Sequence, residues 1–100
     1  MGKIRKLFLL SNWIKKIENL ENKDELNELE LGANKISVIE NLQNLPKLDT
    51  LILARNKIKI INNLDFICHI WVLNLACNFI TKIENLDKLE NLEELYLAEN

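Results

Sequence analysis

Glycine, proline, cysteine and histidine are all scarce in this 100-residue chain, which has 2, 1, 2 and 1 of them. Two isolated glycines cannot form the Gly-rich loop that cradles a phosphate group. The cysteines, Cys68 and Cys77, form neither a CxxC pair nor a disulfide framework, so we expect a reducing compartment, the nucleus or the cytoplasm. No nucleophile, base and oxyanion-stabilising groups combine in the pattern. We therefore expect a protein that is not an enzyme and has no cofactor, no metal site and no small-molecule substrate.

The chain also lacks an excess of one charge and a long apolar run. Its 13 basic and 15 acidic residues leave a net charge of -2, a balance that argues against nucleic acid or a membrane surface as partner. No apolar stretch approaches the roughly 20 residues that cross a bilayer. Ser11, Asn12 and Lys15 interrupt the first apolar run before it could serve as a signal peptide. The hydrophobic content of 48% nevertheless predicts a folded domain.

The apolar residues recur with a fixed period. One period separates Leu7 from Leu29, its equivalent in the next repeat. They predict one domain, 1–100, with repeats 4–25, 26–47, 48–69 and 70–91 and a partial repeat 92–100. Neither end carries a polar cap, so we expect an uncapped excerpt of a longer array. Six columns are unbroken: Leu7, Leu29, Leu51, Leu73, Leu95; Leu9, Leu31, Leu53, Leu75, Leu97; Asn12, Asn34, Asn56, Asn78, Asn100; Ile14, Ile36, Ile58, Ile80; Ile17, Ile39, Ile61, Ile83; and Leu20, Leu42, Leu64, Leu86.

Each column has a physical role in a stacked repeat. The two leucines of LxL point to one face of a short strand, and the isoleucines return the chain with their side chains still inward. One repeat cannot bury its own apolar face, so neighbours stack and their strands become parallel. The asparagine column, Asn12 to Asn100, predicts a structural ladder of side-chain hydrogen bonds to turn backbone. A second asparagine column, Asn19, Asn41, Asn63 and Asn85, is interpreted as turn chemistry.

The residues beside the strand leucines form the predicted partner-binding surface. Phe8 and Tyr96 are the anchor candidates, because exposed aromatic side chains in a soluble protein usually meet a partner. Trp13 shares a column with Lys35, Lys57 and Phe79 and is expected at the turn surface. The candidate binding residues are Lys6, Phe8, Glu28, Glu30, Ile52, Arg55, Trp71, Val72, Asn74 and Tyr96.

The consensus LxLxxNxIxxIxxL, with its IxxIENL ending at 14–20, 36–42 and 80–86, resembles a known family. It is similar to the short leucine-rich repeats whose best-known member is the regulatory subunit of the type-1 serine/threonine protein phosphatase. Strand segments such as 6–9, 29–32 and 94–97 look like successive strands of that subunit in the same order. The resemblance implies an α/β leucine-rich-repeat solenoid, right-handed and curved. Parallel strands would form its concave side, with short turns or 3-10 segments on the convex side.

The same resemblance implies a non-catalytic subunit that binds the phosphatase catalytic subunit with its concave face. In that family, contacts include acidic and aromatic residues between the two strand leucines. Phe8 and Glu30 match this pattern and Tyr96 keeps the aromatic, whereas Ile52 stands where the family tends to have an aromatic residue. A cytoskeletal adaptor of axonemes or centrioles and a spliceosomal scaffold remain open, because such proteins use similar repeats. Irregular columns around Ile52 and Trp71 argue against a designed array.

Overall fold

The computed structural model describes residues 3–100 as a parallel-strand solenoid. Five three-residue strands form one sheet in the order β1-β2-β3-β4-β5. Every neighbouring pair is parallel and aligned with a shift of one repeat, so Leu7 lies opposite Leu29 and Leu29 opposite Leu51. The predicted parallel-strand repeat solenoid is confirmed. The strands are β1 (Lys6–Phe8), β2 (Glu28–Glu30), β3 (Thr50–Ile52), β4 (Val72–Asn74) and β5 (Glu94–Tyr96).

The connections between strands contain almost no helix. Within residues 3–100 the one helical element is a 3-10 helix at Asp65–Ile67, so the α/β class expected from the sequence is not confirmed. Each complete repeat then closes a tight turn just before the next strand, with backbone hydrogen bonds such as those from the amide of Leu26 to the carbonyl of Lys23 and from Leu48 to Leu45. Once its strand and its two turns are formed, a repeat of this length leaves too little chain for a helix of average length.

The core consists of the inward side chains of the apolar columns. The middle strand leucines Leu29, Leu51 and Leu73 are fully buried, and so are Ile36 and Ile58 of the return path. Burying a leucine or isoleucine contributes roughly 1.5–3 kcal/mol, but each repeat obtains that burial only against its neighbours. The core therefore runs as a continuous column along the stack.

The first asparagine column joins neighbouring repeats. The Asn34 side-chain amide donates to the carbonyls of Leu31 and Gly32 in its own repeat and of Leu9 in the preceding one, at 3.0–3.1 Å. Its Oδ1 accepts from the backbone amide of Ile14 at 3.0 Å. Asn56, Asn78 and Asn100 repeat the arrangement one step further along each time. These side chains thus form a ladder that holds consecutive turns in register.

The second asparagine column does more than form turns. Asn19, Asn41, Asn63 and Asn85 all have left-handed backbones, with φ of 61° to 63°. Asparagine tolerates this conformation better than most residues. In addition, the Asn63 amide donates to the carbonyl of Ile39 at 2.8 Å, and Asn85 donates to Ile61 at 2.7 Å. The column is therefore a second ladder between repeats, a role that the turn interpretation did not include.

Candidate functional site

Two rows of side chains cross the sheet and form its outward face. The strand leucines point into the core, so the residues on either side of them point away from it. Register places Phe8, Glu30, Ile52, Asn74 and Tyr96 in one row. The second row holds Lys6, Glu28, Thr50, Val72 and Glu94. We call these ten residues the strand face.

The strand face has an exposed aromatic side chain at each end of its first row. Phe8 is 55% exposed and Tyr96 is 45% exposed, while Glu30, Ile52 and Asn74 between them are partly buried. Strands in a sheet are spaced by about 4.8 Å, so the two rings lie four spacings, roughly 19 Å, apart. The row thus presents two exposed aromatic groups separated by a less exposed middle section.

The charge of the strand face is negative. It holds three carboxylates, on Glu28, Glu30 and Glu94, and one ammonium group, on Lys6, which gives a net charge of -2. The Lys6 ammonium group lies 3.9 Å from the partly buried Glu28 carboxylate, a long ion pair that adds little to stability. A basic surface with apolar patches is therefore the complement that this face favours.

The carboxylate of Glu30 folds back onto its own strand. Its Oε1 accepts a hydrogen bond from the backbone amide of Gly32 at 2.6 Å. A Cβ atom at position 32 would stand 2.8 Å from that oxygen, so the glycine makes room for it. Asn74, with a shorter side chain, makes the same bond to the amide of Ala76 at 3.0 Å without needing a glycine. The bond holds the Glu30 carboxylate close to the sheet in a defined orientation.

The hydroxyl of Tyr96 donates to Glu94 Oε1 at 2.6 Å. The hydrogen bond to this carboxylate and its negative charge raise the pKa of Tyr96 above its ordinary value. The bond links the two rows of the strand face and orients the Tyr96 ring.

The remaining candidates occupy the margins of the strand face. Trp71 directly precedes β4 and is 55% exposed. Together with residues 90–93 it lines a shallow cavity of about 390 Å³. Arg55 lies beyond the strand in a turn, with a left-handed φ of 59°. It lines a different cavity of about 390 Å³, together with Trp13 and Lys35. The structure therefore places Trp71 next to the strand face and Arg55 apart from it.

Two features escaped the sequence reasoning. One is the second asparagine ladder, whose signal was the column itself. The other is that lysine and arginine collect on the first turn of each repeat, 11–16, 33–38, 55–60 and 77–82, which has no acidic residue, although the charges of the whole chain nearly balance. Its signal is the charge of each repeat position taken separately.

Other kinds of site have little support in the described part of the chain. No group of three His, Cys, Asp or Glu side chains among residues 3–100 is arranged to hold a metal ion. Over the same residues, no helix has the length and apolar character needed to span a membrane. A scan against protein-family models and a search of curated proteins found no match to this chain.

Proposed function

We propose that this chain is a leucine-rich-repeat protein that acts as a non-catalytic regulatory subunit and binds the type-1 serine/threonine phosphatase catalytic subunit through the strand face. The observation that supports partner binding is the row from Phe8 to Tyr96, which exposes an aromatic ring at each end of an acidic sheet. The choice of the phosphatase rests on the resemblance of the repeats. We place the protein in the nucleus and cytoplasm on the same ground.

The chemistry of binding follows from the strand face. Buried aromatic anchors commonly supply most of the free energy of an interface, and we assign that role to Phe8 and Tyr96. Glu30 adds a carboxylate whose orientation is already set by its bond to Gly32. A group that is ordered before binding loses less conformational entropy on association. The partner would provide apolar pockets for the rings and a basic group for the carboxylate.

Calorimetric titration of the folded chain against the purified catalytic subunit tests the proposal. We expect binding, and we expect Phe8→Ala and Glu30→Ala each to weaken it by about 1–3 kcal/mol. The matched control is Phe66→Ala, which removes a phenylalanine that is 61% exposed but belongs to the 3-10 helix and not to the strand face. It should leave the affinity unchanged.

Two outcomes would contradict the proposal. A chain that is folded by circular dichroism and yet shows no heat of binding would reject the phosphatase as partner, and the cytoskeletal and spliceosomal alternatives would then be tested with their own proteins. Equal losses in the Phe8 and Phe66 variants would keep the partner but reject the strand face as the contact surface.

A further inference from the structure

The net charge of the chain is only -2, but basic and acidic residues are separated between the two turns of each repeat. The first turn covers positions 11–16, 33–38, 55–60 and 77–82, and we call it the turn rim. It contains no aspartate or glutamate, whereas positions 18–22, 40–44, 62–66 and 84–88 contain six acidic residues and one lysine, Lys88. The basic residues of the turn rim are Lys15, Lys16, Lys35, Arg55, Lys57, Lys59 and Lys82, and all are exposed.

Stacking of the repeats makes the turn rim one continuous surface. The backbone amide of Lys35 donates to the carbonyl of Ile14 at 2.8 Å, and Lys57 donates to Ile36 at 2.7 Å. Backbone hydrogen bonds of this kind between adjacent segments imply a spacing of about 4.8 Å from one repeat to the next. The Lys35 ammonium group accordingly lies 5.3 Å from the centre of the Trp13 ring in the preceding repeat.

Every complete repeat also places one large apolar side chain on the turn rim. These are Trp13, Val38, Ile60 and Phe79, which are 78%, 46%, 56% and 58% exposed. They are interspersed with lysines: one column has aromatic residues at its ends and two lysines inside, and another has lysines at its ends and two aliphatic residues inside. Single exposed apolar residues are common, but one in each repeat within a cationic surface indicates a binding surface.

The cations of the turn rim have few partners within the protein. Among residues 3–100, the ion pair formed by this group is that of Lys82 with Glu84, at 3.6 Å on the boundary of the surface. Like charges held close together repel one another, and an acidic ligand would relieve that repulsion. Charge complementarity therefore requires a negatively charged partner, and the apolar side chains require one that also has apolar groups.

We propose that the turn rim binds an extended acidic segment of another protein, which presents both carboxylates and apolar side chains on the face towards the rim. Its carboxylates would pair with the lysines of the turn rim, and its apolar side chains would cover the exposed apolar residues between them. Four repeats span about 14 Å at 4.8 Å per step, so an extended peptide of about eight residues, roughly 26 Å long, crosses the surface and extends past both of its ends. This surface is separate from the strand face, so the inference goes beyond the proposed function.

Nucleic acid and lipid fit the same charges less well. Single-stranded nucleic acid binds through bases stacked on aromatic rings, but Val38 and Ile60 have no ring and Trp13 already has the Lys35 ammonium group over it. A membrane-binding surface gathers its apolar side chains on one side, so that they enter the lipid together. On the turn rim, lysines separate them.

Fluorescence anisotropy with the full chain tests the inference. The probe is a fluorescein-labelled peptide of about eight residues in which pairs of glutamates follow pairs of leucines, so that each face of the extended peptide presents both residue types. We expect saturable binding that weakens as salt increases, and at least about tenfold weaker binding of the analogue in which glutamine replaces every glutamate. The double variant Lys35→Glu/Lys57→Glu should also lose about tenfold or more in affinity.

The matched control is the double variant Lys47→Glu/Lys88→Glu, which makes the same change of charge outside the turn rim. Both lysines are exposed and paired only at the surface, so the fold should persist, and circular dichroism checks this. Affinity for the peptide should change by less than about twofold, since these charges lie outside the proposed surface.

Several results would overturn the inference. They are equal binding of the glutamine analogue, equal losses in the two double variants, and no binding by the folded chain. Tighter binding to an oligothymidylate of similar length would assign the surface to nucleic acid, and tighter binding to phosphatidylserine vesicles would assign it to lipid.

Discussion

The side-chain amide of Asn56 donates to the backbone carbonyl of Leu31, in the preceding repeat, at 3.0 Å. The same amide donates to Leu53 and Ala54 in its own repeat, and Oδ1 accepts from the amide of Ile36 at 3.0 Å. Asn56 is only 6% exposed, so water has little access to replace these bonds. One side chain therefore satisfies backbone groups of two consecutive repeats.

We expect Asn56→Ala to lower the free energy of unfolding by about 2–4 kcal/mol, because several buried backbone groups would lose their partner together and each unsatisfied group costs about 1–3 kcal/mol. Urea denaturation followed by circular dichroism measures the change. Asn12→Ala is the control, because Asn12 is exposed and its amide donates within its own repeat, to Leu9 and Leu10. A loss as large at Asn12 would show that burial does not set the cost.

The second asparagine ladder allows conformation and hydrogen bonding to be separated. At Asn63 the backbone has φ 61° and the side chain donates to Ile39. Asn63→Gly keeps the left-handed conformation and loses the hydrogen bond, so it should lower the free energy of unfolding by about 1 kcal/mol. Asn63→Ala loses both and should cost about 2 kcal/mol or more. Denaturation curves of the two variants decide this, and a smaller loss for alanine than for glycine would contradict the account.

In every repeat, the residue just before the asparagine of the first ladder also has a left-handed backbone. None of these five residues is glycine: they are Ser11, Ala33, Arg55, Cys77 and Glu99. Ala33, with φ 56°, is one example, and its amide donates to Ala54 at 2.9 Å. Ala33→Gly should relieve strain and leave stability unchanged or raised by up to about 1 kcal/mol. Ala76→Gly, at a position without a left-handed backbone, should instead lower it by about 0.5–1 kcal/mol. Thermal unfolding compares the pair, and equal losses would argue against strain at Ala33.

The bond between Tyr96 and Glu94 predicts a pH effect at the strand face. The pKa of Tyr96 is raised because its protonated form donates to the Glu94 carboxylate. Folding therefore favours the protonated phenol: the contribution is complete below the ordinary tyrosine pKa and is lost as pH rises through the raised value. Tyr96 is the only tyrosine, so ultraviolet absorbance follows its ionisation directly.

In Glu94→Gln, the pKa of Tyr96 should fall towards its ordinary value, because the carboxylate charge is removed. Glu93→Gln is the control, since it removes a neighbouring charge that does not accept the bond. If both variants lower the pKa equally, general charge and not the hydrogen bond is the cause.

Gly32→Ala probes the orientation of Glu30. A methyl group would stand 2.8 Å from Oε1, so the flexible carboxylate would have to move away from the amide of residue 32. We expect a small loss of stability, about 1 kcal/mol, because the side chain can shift. If Glu30 contacts the phosphatase, calorimetry should also show weaker binding. Unchanged binding with a displaced carboxylate would mean that its orientation is not used.

Much of the fold could be predicted because its causes are local or periodic. The alternation around Leu29 and Leu51 places those leucines inward and Glu30 and Ile52 outward, whatever the rest of the chain does. The shift of one repeat then sets which strands pair and in what register. The candidate strand-face residues follow from that register alone. The helical part of the expected class was not confirmed, because the return path of each repeat is too short for it.

By itself, the sequence determined the period, the strands, the buried columns and the residues beside them, since these depend on the two-residue alternation of a strand and on repeated spacing. Only the tertiary structure decided what the stacked turns bring together. The reach of Asn63 to Ile39 and the position of Lys35 over Trp13 depend on distances between repeats. Those distances are set by packing of the core and not by neighbours along the chain.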